Sequence, residues 1–170
     1  MRTIFKVVFV LFVLIGLVSC SKNERVATII FDNILINADG PLTEGANTAQ
    51  GEVLNQLNAF AANNKIKVDD IKSAKLTLLN ISALDSTDLN IYSGFNLQFA
   101  SEKTDMIQAA TINKIQPGTK LLNATLASNS IDLLDLLKQD NFILVADASV
   151  AKDTCMNIKL KGKIEVEIKY

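Results

Sequence analysis

Residues 156–170 read MNIKLKGKIEVEIKY, and every second one is apolar: Met156, Ile158, Leu160, Ile164, Val166, Ile168 and Tyr170, with Gly162 as the single break. Asn157, Lys159, Lys161, Lys163, Glu165, Glu167 and Lys169 stand between them. A period of two this strict predicts a β-strand with one dry face and one wet face. A protein core and a lipid bilayer would both accept that dry face. A membrane barrel, however, needs an apolar lipid face on nearly every strand and aromatic girdles at both interfaces. This chain has no Trp and two Tyr, so the dry face is read as one wall of a protein core. The strand is unusually long, which makes Gly162 the expected position of a bulge or a bend between sheets.

The same reading, carried outward, finds further strands at 26–36, 74–81, 89–100, 106–115, 119–127 and 141–150, rich in β-branched and aromatic residues and bounded by turn signals. Asp85-Ser86-Thr87-Asp88 is expected to join 74–81 to 89–100 as an antiparallel pair, and Gln116-Pro117-Gly118 to stop the next strand. Residues 37–50 read as a loop in which Asn47 and Gln50 cap a helix over 52–64. Val53, Leu54, Leu57, Phe60 and Ala61 have helical spacing there, and Asn63-Asn64 would close it. A second short helix, SIDLLDLLKQD (130–140), would be capped by Asn129-Ser130, with Asp132 and Lys138 placed favourably for the helix dipole. The expected fold is mainly β: one antiparallel β-sandwich domain of about seven strands over 26–170, with two short helices.

Composition excludes more chemistry than it suggests. Histidine is absent, which removes Ser-His-Asp and Cys-His nucleophile systems and His-ligated metal sites within one chain. The charge balance is near neutral and mildly acidic, with no basic block and few aromatics, so nucleic acid is not an expected partner.

Residues 1–20, MRTIFKVVFVLFVLIGLVSC, combine a cationic start at Arg2 and Lys6 with a long apolar run and end in Leu17-Val18-Ser19-Cys20. That layout is a secretory signal. It resembles the signal of bacterial lipoproteins, whose lipobox closes on a small residue followed by Cys. The resemblance implies a signal peptide over 1–19, cleavage before Cys20, a lipid on its thiol, and a short tether over 20–25. Several acyl chains on one residue anchor a protein stably. With Ser21 rather than Asp after the Cys, the resemblance implies the outer membrane of the cell envelope as the address.

Candidate sites are few. Cys155 would be the only thiol left after lipidation of Cys20 and lacks a partner base, so it reads as structural or idle. Asp69-Asp70 and Asp85 with Asp88 lack the ligand spacing of a calcium loop and read as turn carboxylates. No metal and no cofactor is expected. Lys159, Lys161, Lys163 and Lys169 read as a solvated face that discourages edge pairing. Asp85-Ser86-Thr87 resembles the short glycosylation site of Bacteroidota envelope proteins, which implies Ser86 as the acceptor. The mature chain as a whole resembles small Bacteroidota lipoproteins with sandwich folds, a likeness that carries no catalytic residues. The expected function is a lipid-anchored, non-catalytic envelope module that binds a protein or glycan partner. The alternatives are a carboxylate-dependent glycan hydrolase, with two acidic groups facing across a cleft, and a carrier of an apolar ligand, with an open apolar cavity.

Overall fold

The computed structural model describes residues 24–84 and 89–170. The terminal alternation forms a strand, Ile158–Lys169, whose inward residues Ile158, Leu160, Ile164, Val166 and Ile168 are almost entirely buried. In chain order the strands are β1 (Val26–Ala38), β2 (Gly45–Leu54), β3 (Ser73–Ala83), β4 (Tyr92–Ala100), β5 (Ile107–Asn113), β6 (Leu121–Asn123), β7 (Thr125–Leu126), β8 (Asn141–Val150) and β9 (Ile158–Lys169). Two helices accompany them, α1 (Leu57–Asn63) and α2 (Leu134–Leu137).

All nine strands belong to one sheet, ordered β6-β3-β9-β1-β2-β8-β4-β5-β7, with antiparallel neighbours throughout. The sheet is nearly closed and barrel-like. Its two ends, β6 and β7, are consecutive in the chain and parted only by Ala124, whose N–H donates to the Leu79 carbonyl at 3.0 Å. One short segment therefore pairs with β3 on one side and β5 on the other. Opposite it, the halves β6-β3-β9-β1 and β2-β8-β4-β5-β7 meet at a single register pair, Asn37 with Gln50. Between the halves, Phe142 of β8 meets Phe31 of β1 and Phe99 of β4 edge to face, with ring centroids 5.8 and 5.7 Å apart. Such edge-on pairs suit the ring quadrupole and add to the stabilisation from area burial.

Gly162 is not a bulge. It continues the inward row of β9, pairing with Ile34 and Ile81. A Cβ there would lie 3.1 Å from the Leu144 side chain and 3.3 Å from that of Ile36. The glycine lets Leu144, from the opposite half, pack against the backbone. The irregularities sit instead on the neighbours. β1 shifts register between Phe31 and Ile34, with Asn33 at φ 60°, and β3 shifts between Leu76 and Leu78. β9 stays regular while both of its neighbours absorb the twist.

Four further expectations are corrected. There are nine strands rather than about seven, because 45–54 is a strand and 119–127 splits at Ala124. β2 was unreadable as a strand because its inward residues Ala49, Gly51 and Val53 are small, which weakens the period of two. They are small for a reason: a Cβ on Gly51 would collide with the Leu35 carbonyl oxygen where β1 crosses β2. Helix α1 thus shrinks to Leu57–Asn63, and its first N–H groups are served by Asn55, whose Oδ1 accepts from Leu57 N at 2.7 Å. Asn47 caps no helix. Its side chain closes the preceding loop, accepting from Thr43 N–H and donating to the Thr43 and Gly45 carbonyls. At the far end Lys65, at φ 56°, takes the left-handed position expected of an Asn.

The second helix is a single turn, Leu134–Leu137. Residues 131–133 lie beside β3 instead, with Leu76 N donating to Ile131 O at 3.0 Å and Leu133 N to Ala74 O at 2.7 Å. Asp132, not Asn129 or Ser130, serves the helix start, its Oδ1 accepting from Leu134 N at 2.9 Å and from Ala74 N at 3.1 Å. Finally, 74–81 and 89–100 do not pair. β3 lies between β6 and β9, and β4 between β8 and β5, so the connection crosses from one half to the other. A pattern of dry and wet residues fixes which face of a strand is buried but not which strand lies beside it.

Candidate functional site

Strand register brings three rows onto the outer face of the second half: Thr48, Asp147 and Asn96; Gln50, Val145 and Gln98; Glu52, Ile143 and Ala100. Asp147 binds them across strands, accepting from Thr48 Oγ1 at 2.6 Å and from Gln98 Nε2 at 3.1 Å. The Gln108 amide donates to Asn96 Oδ1. This face presents amides and hydroxyls where the other half presents lysines and glutamates.

At the Glu52 end the face runs into a cleft of about 340 Å³. Its walls are Gln50 and Glu52 from β2, the Ser101–Lys103 turn after β4, and residues 139–143 at the start of β8. Each wall is fixed from behind. The turn is held by Ser101, whose hydroxyl accepts from Thr104 N at 3.1 Å and lies 2.7 Å from the Thr104 hydroxyl. Asn55 fastens the opposite wall, with its N–H on the Asp140 carbonyl and its amide on the Leu137 and Gln139 carbonyls. Glu52 accepts from the Asn141 amide. Phe142 is buried beneath, and Ile143 is an apolar spot on the outer surface. The cleft volume falls in the range of small-ligand sites, about 300 to 1,000 Å³. Its lining carries amides, a hydroxyl, three carboxylates (Glu52, Glu102, Asp140) and one ammonium, Lys103.

Among the described residues, the two groups with displaced titration lie on the other half. The Glu24 carboxyl is held below its ordinary range by a hydrogen bond from Lys72 at 2.9 Å, and Lys163 is raised by its bond to Glu165 at 2.7 Å. Both are exposed pairs, which ordinarily contribute little to stability.

Cys20 and Ser86 lie outside the described residues, as do Asp85 and Asp88. Cys155 is exposed in the loop between β8 and β9. Asp70 is engaged in its own turn, accepting from Lys67 N at 3.2 Å. The described residues contain no group of three or more acidic or Cys side chains arranged to hold a metal, and none of their helices is long and apolar enough to cross a membrane. The cleft residues escaped the sequence reading. Gln50 and Glu52 sit where the residue pattern reads as loop and helix, and only the register of β2 against β8 brings them beside Asn141.

No protein-family model matches the chain, and no curated protein does. Among solved structures it is similar to one described as the cyanophage Pam1 capsid asymmetric unit, at 10% identity, covering 86% of this chain and 84% of that one with a TM-score of 0.27. A score this low carries no argument about fold or function.

Proposed function

We propose that the protein is a lipid-anchored, non-catalytic module of the bacterial cell envelope, and that the cleft beside Glu52 and Asn141 is its binding site. In this reading residues 1–19 are a lipoprotein signal, Cys20 carries the lipid at the outer membrane, and the two halves of the barrel serve as the layers of a β-sandwich. The observation that carries the binding role is the cleft itself, lined mainly by residues with polar side chains and walled by strand ends that side-chain hydrogen bonds hold in place. A site on rigid elements can present fixed donors and acceptors to a ligand at low ordering cost. Mixed amides, carboxylates and hydroxyls match the hydroxyl groups of a glycan.

Calorimetric titration of the intact chain with a panel of neutral and acidic oligosaccharides tests this. A glycan that binds should lose about tenfold or more in affinity in Glu52→Gln or Gln50→Ala, as expected for removal of one hydrogen bond at a charged or polar group. Lys163→Ala, on the other half, should bind like the parent. Binding that ignores the cleft variants would move the site elsewhere. The hydrolase alternative keeps one supporting observation, since Glu52, Glu102 and Asp140 share the cleft; cleavage of the bound glycan would favour it. The carrier alternative finds less support, because most residues lining the cleft carry polar side chains and Leu144 fills the space over Gly162 between the halves. For the anchor, Cys20→Ala should abolish acyl labelling and release the protein from the membrane fraction.

A further inference from the structure

The surface beside the cleft continues its chemistry along β8. The three outer rows are two residues apart on each strand, a step of about 6.8 Å, so together they reach about 14 Å from the Glu52 row to the Thr48 row. That is longer than one sugar ring. In the middle row Val145 points outward yet keeps only 8% of its surface exposed, flanked by the longer side chains of Gln50 and Gln98. Ile143, in the row at the cleft, extends the same aliphatic line. The result is a shallow trough with an aliphatic floor on β8 and polar rims on β2 and β4, whose axes lie about 9 to 10 Å apart. At the cleft the β4 rim drops to Ala100, immediately before the Ser101–Lys103 wall.

The far end of the trough is held in place. Asp147 has both carboxylate oxygens engaged, Oδ1 by the Thr48 hydroxyl at 2.6 Å and Oδ2 by Gln98 Nε2 at 3.1 Å. It orients its neighbours and leaves the Gln98 carbonyl oxygen and second N–H for a ligand. The Gln50 amide, which lines both the cleft and the trough, makes no hydrogen bond among the described residues.

We propose that this trough is a second set of subsites, and that the ligand is a linear, non-acidic glycan of several units lying along β8 from the cleft to the Thr48–Asp147–Asn96 row. The proposal rests on the reading of the cleft as a glycan site and extends it. A sugar ring carries C–H groups on its faces and hydroxyls around its edge, which suits an aliphatic floor between polar rims. A peptide could not add itself here as a strand, because β8 is already paired on both sides. An acidic polymer would meet no cation in the three rows, whose charged residues are Glu52 and Asp147. Gln98 is then a specificity-determining contact outside the cleft, and Asp147 a positioning residue acting through Gln98 and Thr48.

Calorimetric titration of the intact chain with oligosaccharide ladders, from disaccharide to hexasaccharide, tests this in the β-1,4-glucan, α-1,4-glucan and β-1,4-N-acetylglucosamine series. In the series that binds, the hexasaccharide should bind about tenfold or more tighter than the disaccharide, the gain expected from a few added hydrogen bonds. Gln98→Ala and Asp147→Asn should each remove most of that gain and leave disaccharide affinity unchanged, which a general loss of fold would not do. A galacturonic acid hexasaccharide should bind at least tenfold more weakly than the neutral one. Equal affinity for disaccharide and hexasaccharide in the parent chain overturns the trough and leaves the cleft reading standing. So does a length gain that ignores both variants, or galacturonate binding as tight as that of the neutral chain. Failure of every oligosaccharide to bind overturns the cleft reading and this proposal together.

Discussion

The two halves of the barrel share a core and differ on their outer faces. Around β9 the outer residues are Lys159, Lys161, Lys163, Glu165, Glu167 and Lys169; around β8 they are Ile143, Val145, Asp147 and Ser149, flanked by Thr48, Gln50, Asn96 and Gln98. The first set meets water as separate charges, with the Lys163–Glu165 pair its internal contact. The second is knitted across strands, with Asp147 bonded to both β2 and β4. A face of isolated charges repels unplanned neighbours and favours solubility. A face of amides and hydroxyls linked through one carboxylate, Asp147, gives up that protection and gains a fixed hydrogen-bonding pattern. Under the function proposed above, the ligand meets the second face and the first is left to solvent.

The comparison is broken most directly at the core, where both halves should respond alike. Phe142→Ala removes the ring that joins Phe31 to Phe99 and should cost about 3 to 5 kcal/mol; Ile164→Ala on β9 should cost about 2 to 5 kcal/mol. Denaturant midpoints measure both. A neutral result at either would mean that its half does not share the common core.

Next in size is Gly162→Val, which forces a branched side chain against Leu144 and Ile36 and should destabilise by about 1 to 3 kcal/mol. An unchanged melting temperature would mean that Leu144 can withdraw and that the halves are less tightly interlocked than described.

The outer faces themselves should then separate. Asp147→Ala strands the Thr48 hydroxyl and the Gln98 amide and should cost about 0.5 to 1.5 kcal/mol, while Lys163→Ala should leave the midpoint close to that of the parent. Equal losses would erase the distinction between knitted and isolated faces.

The smallest effect is on pH. Glu24 has its folded pKa lowered by Lys72, so its contribution is present above the ordinary carboxyl pKa of 4.5 and is lost as pH falls through the lowered value. Lys163 has its folded pKa raised by Glu165, so its contribution is present below 10.5 and is lost as pH rises through the raised value. Across neutral pH neither should tilt the stability profile. A slope there that disappears in Lys72→Ala would show that the exposed pair is coupled more strongly than its solvation implies.

Strands with large inward side chains were legible in the sequence. β1, β3, β4, β5, β8 and β9 all lie close to where runs of β-branched, aromatic and alternating apolar residues put them. β2 was hidden by Ala49 and Gly51, whose smallness serves the close crossing of β1 and carries little hydrophobic signal. The helices were overextended because Leu54 and Ile131 fit a helical period while the structure uses them in or beside strands. Pairing order was beyond reach, because it is decided by contacts between distant residues. The site was lost with it: Glu52 and Asn141 are separated by most of the chain and meet only through the β2–β8 register.

The pairing of β1 with β9 also sets an order of events. Val26 finds Lys169, and Ala38 finds Ile158, so the first strand waits for the last across nearly the whole polypeptide. Closing so long a loop is entropically costly, and folds dominated by such distant pairings form slowly. Until β9 arrives, the inner side chains Ile29, Phe31, Ile34 and Ile36 of β1 have no neighbouring strand on that side to shelter them. A chain halted before residue 158 would keep an unfinished sheet whose exposed apolar row and unpaired edge favour aggregation.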